Sequence, residues 1–214
     1  MFIRLSPTLV LRSPWRPYRA RPGERVLVVR TPGAFPPGHP TTRLSLELLP
    51  EALAARPCSA GCQPVIGKRL LDVGCGSGVL TLAAAALGVD FCLGVDLSGR
   101  AVRLSRENAR ENGLAAALRL VQGSTECLRG PFDLVLANLR YPVQVAKVPE
   151  LARLTAPSGT LILSGFRDVQ EAELLAGYRD LGWFLVRRLT RDEWAIEVPP
   201  EKSYTWVAWR LQGP

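Results

Sequence analysis

The chain is poor in lysine and histidine and has no long apolar segment. Its single histidine is His39, and lysine occurs only at Lys68, Lys147 and Lys202. No apolar run approaches the roughly 20 residues that a bilayer-spanning helix needs. Residues 1–12 also lack the apolar core and the cleavage site of a signal peptide. We therefore expect a cytoplasmic protein.

Cysteine is too sparse for a disulfide framework or a structural metal centre. The five cysteines are an odd number. Cys58 and Cys62 are separated by three residues, but no second pair completes a tetrahedral site. We expect no metal and a set of reduced thiols, as is usual in the cytoplasm.

Because lysine is scarce, the net charge of +8 is carried by arginine. The only dense basic run comprises Arg12, Arg16, Arg19, Arg21 and Arg25. Such a run fits contact with RNA or with an acidic protein, and it equally fits a solvated arm. We interpret residues 1–33 as a short basic, Pro/Arg-rich extension and residues 34–214 as the main domain.

The rest of the chain alternates strand and helix patterns, as in an α/β protein with a parallel sheet. A first helix begins at Thr41 or Thr42, either of which suits the N-cap position. The remaining elements are predicted as strands at 69–73, 91–95, 118–122, 132–137 and 160–164 and helices at 78–87, 99–112, 143–154 and 168–181. Two β-rich runs, Trp183 to Leu189 and Tyr204 to Leu211, predict an antiparallel C-terminal hairpin. The expected fold is Rossmann-like, with seven mostly parallel strands and helices on both faces.

A glycine-rich loop follows the first of these strands and indicates a nucleotide-type ligand. The sequence Leu70 to Gly78 carries Gly-x-Gly-x-Gly beginning two residues after Asp72, and Asp96 ends the next strand, 22 residues after Gly74. Glycines allow close approach of a ligand, and a carboxylate at the second strand end can bind ribose hydroxyls. An acid beside the loop suits the cationic S-adenosylmethionine better than an anionic pyrophosphate. The spacing likewise disfavours a dinucleotide oxidoreductase. A plain glycine turn is the alternative interpretation.

Beyond the loop, several segments resemble one family, the PrmA-type methyltransferases, which modify a ribosomal protein of the large-subunit stalk. The resemblance extends over roughly residues 32 to 196. It implies a class I methyltransferase without the family's N-terminal recognition domain. The segments that carry it are Phe35, Gly38-His39-Pro40-Thr41-Thr42, Leu71 to Leu80, Gly94-Val95-Asp96, Glu107 to Gly113, Gly123-Ser124, Phe132 to Leu139, Leu161 to Gly165 and Glu193-Trp194.

The resemblance and the loop chemistry together predict the site. Asn138 is the expected catalytic residue, since its strand-end position in nitrogen-directed methyltransferases holds the acceptor. His39, Arg140 and Tyr141 are the candidate substrate contacts. The predicted cofactor contacts are Phe35, Thr42, Asp72, Gly74, Cys75, Gly76, Gly78, Asp96, Leu97, Ser124 and Asn138.

Several of these residues have a structural interpretation as well. Thr42 fits a plain N-cap, Asp96 fits a cap of the following helix, and Phe35 fits the core. His39 suits either a base for the acceptor amine or a residue that holds the Thr41-Thr42 turn.

The expected function is S-adenosylmethionine-dependent N-methylation of a lysine or N-terminal amine on a protein such as a ribosomal protein. A first alternative keeps the cofactor and changes the acceptor to RNA or a small molecule. A second is a cofactor-binding scaffold without catalysis.

Overall fold

The computed structural model describes residues 2–32, 38–54, 67–193 and 205–214. Phe35, Cys58, Cys62 and Trp194 lie outside these ranges, as does most of the segment between residues 56 and 67. No helix in the described ranges is long and apolar enough to cross a membrane. The same ranges hold no group of three side chains that suits a metal ion.

The N-terminal part of the chain forms a three-stranded sheet. Its strands are β1 (Phe2–Ser6), β2 (Leu9–Arg12) and β3 (Arg25–Val28). β1 pairs antiparallel with β2, which pairs parallel with β3. The basic run predicted as an arm therefore belongs in part to folded strands, and its remainder lies between β2 and β3.

The main domain is a seven-stranded sheet, which confirms the predicted fold class. The strand order is β6-β5-β4-β7-β8-β10-β9, and only β10 runs antiparallel to the other strands. The strands are β4 (Arg69–Val73), β5 (Phe91–Asp96), β6 (Leu118–Gln122), β7 (Phe132–Asn138), β8 (Thr155–Arg167), β9 (Phe184–Asp192) and β10 (Thr205–Gln212).

Within the described residues, six helices cover the two faces of this sheet. They are α1 (Pro40–Ala54), α2 (Val79–Ala86), α3 (Gly99–Glu111), α4 (Tyr141–Ala146), α5 (Val148–Leu154) and α6 (Glu171–Arg179). Leucines and alanines of α1 to α3 form one core with one sheet face, while α5 and α6 pack on the opposite face. Because β4 and β7 lie between both layers, their buried side chains are apolar with the exception of Asp72.

The structure corrects three of the predicted elements. The helix expected over 143–154 is two helices that meet at Lys147, because Pro149 has no backbone N–H and its ring clashes with the carbonyl of residue 145. The helix expected from 168 begins at Glu171, after a 3₁₀ turn over Asp168–Gln170. The strand expected over 160–164 extends over Thr155–Arg167 because β10 pairs along most of it.

Asn108 of α3 and Asn112, directly after this helix, attach the N-terminal sheet to the main domain. Asn112 bonds to both the N–H and the C=O of Val28, each at 2.8 Å. Asn108 does the same for Arg30, at 3.0 and 2.9 Å, and its amide also donates to the carbonyl of Ser77 at 2.9 Å. A single buried side chain thus joins the N-terminal segment, α3 and the start of α2.

Replacing Asn108 by alanine is expected to lower the free energy of unfolding by about 2–4 kcal/mol. Three hydrogen bonds are lost, and the buried carbonyl of Ser77 and the part-buried backbone groups of Arg30 lose these partners. Urea denaturation measures the change, with the exposed Gln122→Ala as the control. A loss below about 0.5 kcal/mol would contradict this role.

Candidate active site

A cavity of about 530 Å³ opens where the parallel strands β4 to β8 end. Ligands of open parallel sheets bind at this edge, and the volume lies within the range of small-molecule sites. The lining residues are His39, Thr41, Val73, Gly74, Val95, Asp96, Leu97, Gly123, Ser124, Thr125, Asn138, Leu139, Arg140, Val143, Lys147, Gly165 and Trp206.

The glycine loop after β4 forms the floor of this cavity. The N–H groups of Gly74 and Cys75 both donate to the carbonyl of Val95, at 2.8 and 3.1 Å. Gly74 has a φ of 72°, and a Cβ there would lie 2.6 Å from the side chain of Leu139. Glycine is favoured here because other residues rarely adopt this backbone conformation, and a larger side chain would also have to displace the end of Leu139.

The carboxylate of Asp96 fastens this loop to the end of β5. One oxygen accepts the N–H of Gly76 at 2.9 Å, and the other accepts the N–H of Ser98 at 2.8 Å. A carboxylate oxygen has two lone pairs, so each keeps one for a ligand. Asp96 lines the cavity and is in a position to accept two hydroxyl hydrogen bonds.

Asn138 lies at the end of β7 and is oriented from the first turn of α1. Its amide nitrogen donates to the hydroxyl of Thr42 at 3.2 Å. That contact leaves the side-chain oxygen, which makes no hydrogen bond within the described residues, as the group available to a ligand. Nearby, the hydroxyls of Ser45 and Ser164 lie 2.7 Å apart and join α1 to β8.

The buried side chain of Gln144 holds the ends of β7 and β8 together. Its amide donates to the carbonyls of Ala137 and Ser164, each at 2.8 Å. The first of these carbonyls directly precedes Asn138. Because Gln144 is fully buried in α4, this short helix is fixed to both strand ends.

His39 caps α1, which corrects the N-cap predicted at Thr41 or Thr42. The helix begins at Pro40, and the ring nitrogen Nδ1 of His39 accepts the N–H of Thr41 at 3.3 Å. The same nitrogen lies 2.9 Å from the Thr41 hydroxyl. Burial lowers the pKa of His39, so the ring is neutral near pH 7. These contacts favour the turn-holding interpretation over the base.

Asp72 points away from the cavity. It is 2% exposed and accepts the hydroxyl of Thr81 at 2.6 Å and the N–H of Thr81 at 3.2 Å. Burial raises the pKa of this carboxyl to about 6, against the opposing effect of the Thr81 hydrogen bonds. We predicted that Asp72 contacts the ligand. In the structure its hydrogen bonds to Thr81 instead support the glycine loop from beneath.

The structure brings seven of the predicted residues together around the cavity: His39, Gly74, Asp96, Leu97, Ser124, Asn138 and Arg140. It does not bring Thr42, Asp72, Cys75, Gly76, Gly78 or Tyr141 to the cavity wall. Thr42 and Gly76 are instead hydrogen-bonded to the cavity residues Asn138 and Asp96. Gly78, at the start of α2, packs on Ser105. Cys75 is buried against Gly94, and the hydroxyl of Tyr141 donates to Glu173. Phe35 lies outside the described residues.

Sequence reasoning missed Trp206, Gln144 and Lys147. Trp206 reaches the cavity from the C-terminal hairpin, where its ring lies 4.9 Å from that of His39 and under the guanidinium of Arg167. Lys147 lines the cavity at the break between α4 and α5 and pairs with Glu126 and Glu150. Pro149 causes the break, so the sequence did contain a signal that a helix end lies at Lys147. The position of Trp206 at the cavity depends on the strand order of the sheet, which the sequence does not show.

A glycine loop after the first central strand, a carboxylate ending the next strand and an antiparallel final hairpin define a class I methyltransferase fold. The family model described as ribosomal protein L11 methyltransferase (PrmA) matches residues 3–198. The chain belongs to this family, as the resemblance predicted.

Relatives in the family are longer than this chain. The ribosomal protein L11 methyltransferase of Geotalea daltonii is 36% identical over 194 residues, which cover 90% of this chain and 62% of the relative. That of Syntrophotalea carbinolica is 37% identical, with 90% and 60% covered. The chain thus spans about three fifths of the length of these curated relatives.

Solved structures share the fold at lower identity. The crystal structure of ribosomal protein L11 methylase from Lactobacillus delbrueckii subsp. bulgaricus superposes with a TM-score of 0.78 at 22% identity and covers 100% of this chain and 98% of that chain. An N-methyltransferase from Bradyrhizobium japonicum gives a TM-score of 0.55 at 15% identity and covers 69% and 86%.

The buried carboxyl of Asp72 predicts a specific pH dependence of stability. Its folded-state pKa of about 6 lies above the ordinary value of 3.8 for an aspartate, so the unfolded chain loses this proton first. The folded state therefore loses up to about 3 kcal/mol as the pH rises from about 4 to about 6. Asp72→Asn removes this loss. In urea denaturation, the free energy of unfolding of the variant relative to wild type should be higher at pH 7 than at pH 4.5. The control Asp180→Asn, at an exposed position, should show no such difference. An equal difference at both pH values would contradict the burial of an ionisable group.

Replacing Gln144 by leucine is expected to loosen the end of β7 while the fold persists. Leucine keeps the volume but donates no hydrogen bond to Ala137 or Ser164. Hydrogen exchange at the Leu139 amide should accelerate about tenfold or more, with a global loss below about 2 kcal/mol. Gln122→Leu is the control, and unchanged exchange at Leu139 would contradict the role of Gln144.

Proposed function

We propose that this chain is an S-adenosylmethionine-dependent N-methyltransferase that modifies an amine of a protein, and that the protein is a ribosomal protein such as L11. The observation that carries the proposal is the orientation of Asn138. Its oxygen is left available at the cavity beside the Asp96 loop. Family membership supports the same activity, since the curated relatives are described as ribosomal protein L11 methyltransferases.

The residues at the cavity fit S-adenosylmethionine. Asp96 retains one lone pair on each oxygen, which suits the two ribose hydroxyls, and Gly74 leaves room for close approach. Ser124 lines the cavity past β6 and is assigned to the adenine side. When bound, the cofactor supplies a methyl group on a cationic sulfur.

Asn138 is assigned to the acceptor amine. Because its nitrogen donates to Thr42, its oxygen faces the incoming group as a hydrogen-bond acceptor, and an amine N–H is the matching donor. Alignment of this kind is the main contribution that a protein makes to a displacement reaction.

The acceptor must be neutral to react, and the charge near the cavity supports this. Arg140 lines the cavity and makes no ion pair within the described residues. A nearby cation lowers the pKa of an incoming lysine amine by disfavouring its charged form. With Nδ1 of His39 engaged by Thr41, water is the simpler proton acceptor.

On this proposal residues 34–214 carry the methyl-transfer site. A ribosomal protein acceptor implies action in the cytoplasm. The basic arm does not enter the choice of acceptor here, because its arginines do not line the cavity.

The test is transfer of labelled methyl groups to purified ribosomal protein L11. Asn138→Ala should lower kcat about 100-fold, since alignment of the amine is lost. Cofactor affinity should change much less. Gln212→Ala, a strand-end amide at the opposite edge of the sheet, is the matched control and should behave like wild type.

Labelling of an RNA or of a small molecule in place of the protein would identify the first alternative. Binding of cofactor without transfer to any acceptor would identify a scaffold. Equal rates for wild type and Asn138→Ala would remove Asn138 from the reaction.

A further inference from the structure

Three arginines form a row on the outward face of α3. Arg103, Arg106 and Arg110 are all exposed, and at 100° per residue they lie within an arc of about 60°. None of them forms an ion pair or side-chain hydrogen bond within the described ranges. The buried positions of α3 lie on the opposite side of the helix. The row therefore carries three positive charges against the single exposed carboxylate of Glu107, which lies beside it on the helix and forms no ion pair with it within the described ranges.

A tryptophan in the loop between β2 and β3 is exposed to solvent. Trp15 is 88% exposed, although a large aromatic ring normally contributes its area to a core. The guanidinium of Arg12 donates to the carbonyls of Ser13, Pro14 and Arg16, at 3.1, 3.2 and 3.2 Å. These bonds give the loop a defined shape, so the tryptophan is displayed on an ordered turn.

The tryptophan loop and α3 adjoin along the segment that follows β3. Trp15 shares a surface cleft with Arg30 and Pro32. Arg30 pairs with Glu111 of α3 at 2.8 Å, and Arg100 donates to the carbonyl of Pro32 at 3.5 Å. Since α3 begins just past Asp96, this surface leads toward the rim of the cavity.

We propose that this surface, defined by Trp15, Arg103, Arg106 and Arg110, binds single-stranded RNA. Unpaired guanidinium groups suit phosphates, and an exposed indole face stacks on a base. An acidic protein would match the charge but gives no reason for an ordered, solvent-facing tryptophan. The net charge of +8 adds long-range attraction for a polyanion.

The structure also changes which arginines carry the interaction. Sequence composition pointed to the run from Arg12 to Arg25. Arg12 instead shapes the loop, and Arg25 donates to the carbonyl of Asn112 at 3.5 Å. The row on α3, spread over the sequence at every third or fourth residue, takes their place.

The experiment uses the full chain and a fluorescently labelled 20-nucleotide poly-U RNA, followed by anisotropy. We expect binding in the micromolar range at about 50 mM salt. The triple variant R103A/R106A/R110A should weaken binding at least about tenfold. It should also reduce the slope of log K against log salt by about 2, since each single-strand phosphate contact contributes about 0.7. Trp15→Ala should weaken binding about tenfold, and Trp15→Phe should retain most of it.

The matched control is R129A/R153A/R179A, which removes the same charge from exposed arginines on the side of the sheet covered by α5 and α6. It should bind RNA nearly as wild type does. Absence of RNA binding by the wild type, or equal weakening by the control triple, would overturn the proposal. Polyglutamate binding that needs the α3 arginines but not Trp15, and that excludes RNA, would overturn it in favour of an acidic protein partner. Because none of these measurements uses methyl transfer, their outcome is independent of the proposed enzymatic function.

Discussion

The carboxylate of Asp96 is the constraint on which the rest of the site depends. With its two oxygens it holds the backbone of Gly76 in one loop and of Ser98 in the next. The hydrogen bonds of the sheet align β4 and β5 only up to their ends. The Asp96 carboxylate also fixes the loops that follow these two strands. The side chain that fastens the loop at the floor of the cavity is also the group that would recognise a ribose, so loop order and ligand recognition cannot be separated.

A second set of polar contacts closes the opposite side. Thr42 orients Asn138, and the hydroxyls of Ser45 and Ser164 bring α1 onto β8. Both contacts lie at the carboxyl edge of the sheet, where polar groups meet a ligand, whereas the layers above and below are apolar. The fold thus provides a rigid hydrophobic frame and concentrates its hydrogen-bonding capacity at one edge.

Much of this arrangement could be predicted from the sequence, because it follows from local patterns. The alternation of strands and helices, the glycine loop and the strand-end positions of Asp96 and Asn138 are all local. Asp72 is a case in which a further local rule was available. Side chains alternate along a strand, so Asp72 shares the face of Leu70, which packs toward α1 and α2, and not the face of Val73, which lines the cavity.

Trp206 and Gln144 could not be predicted in the same way. Trp206 reaches the cavity only because β10 inserts between β8 and β9. Gln144 reads as an ordinary polar helix residue until the short helix α4 is seen folded over two strand ends. Both positions depend on how distant elements are placed, and no periodicity or spacing in the sequence carries that information.

Calorimetric titration of S-adenosylmethionine into the wild type, Asp96→Ala and the control Asp90→Ala tests the central role of Asp96 most directly. Asp90 precedes the same strand and lies at the opposite edge of the sheet. The account predicts micromolar binding by the wild type and the control, and a loss of about 100-fold or more in Asp96→Ala, because ribose contacts and loop order are lost together. Undiminished binding by Asp96→Ala, or no binding by the wild type, would contradict it.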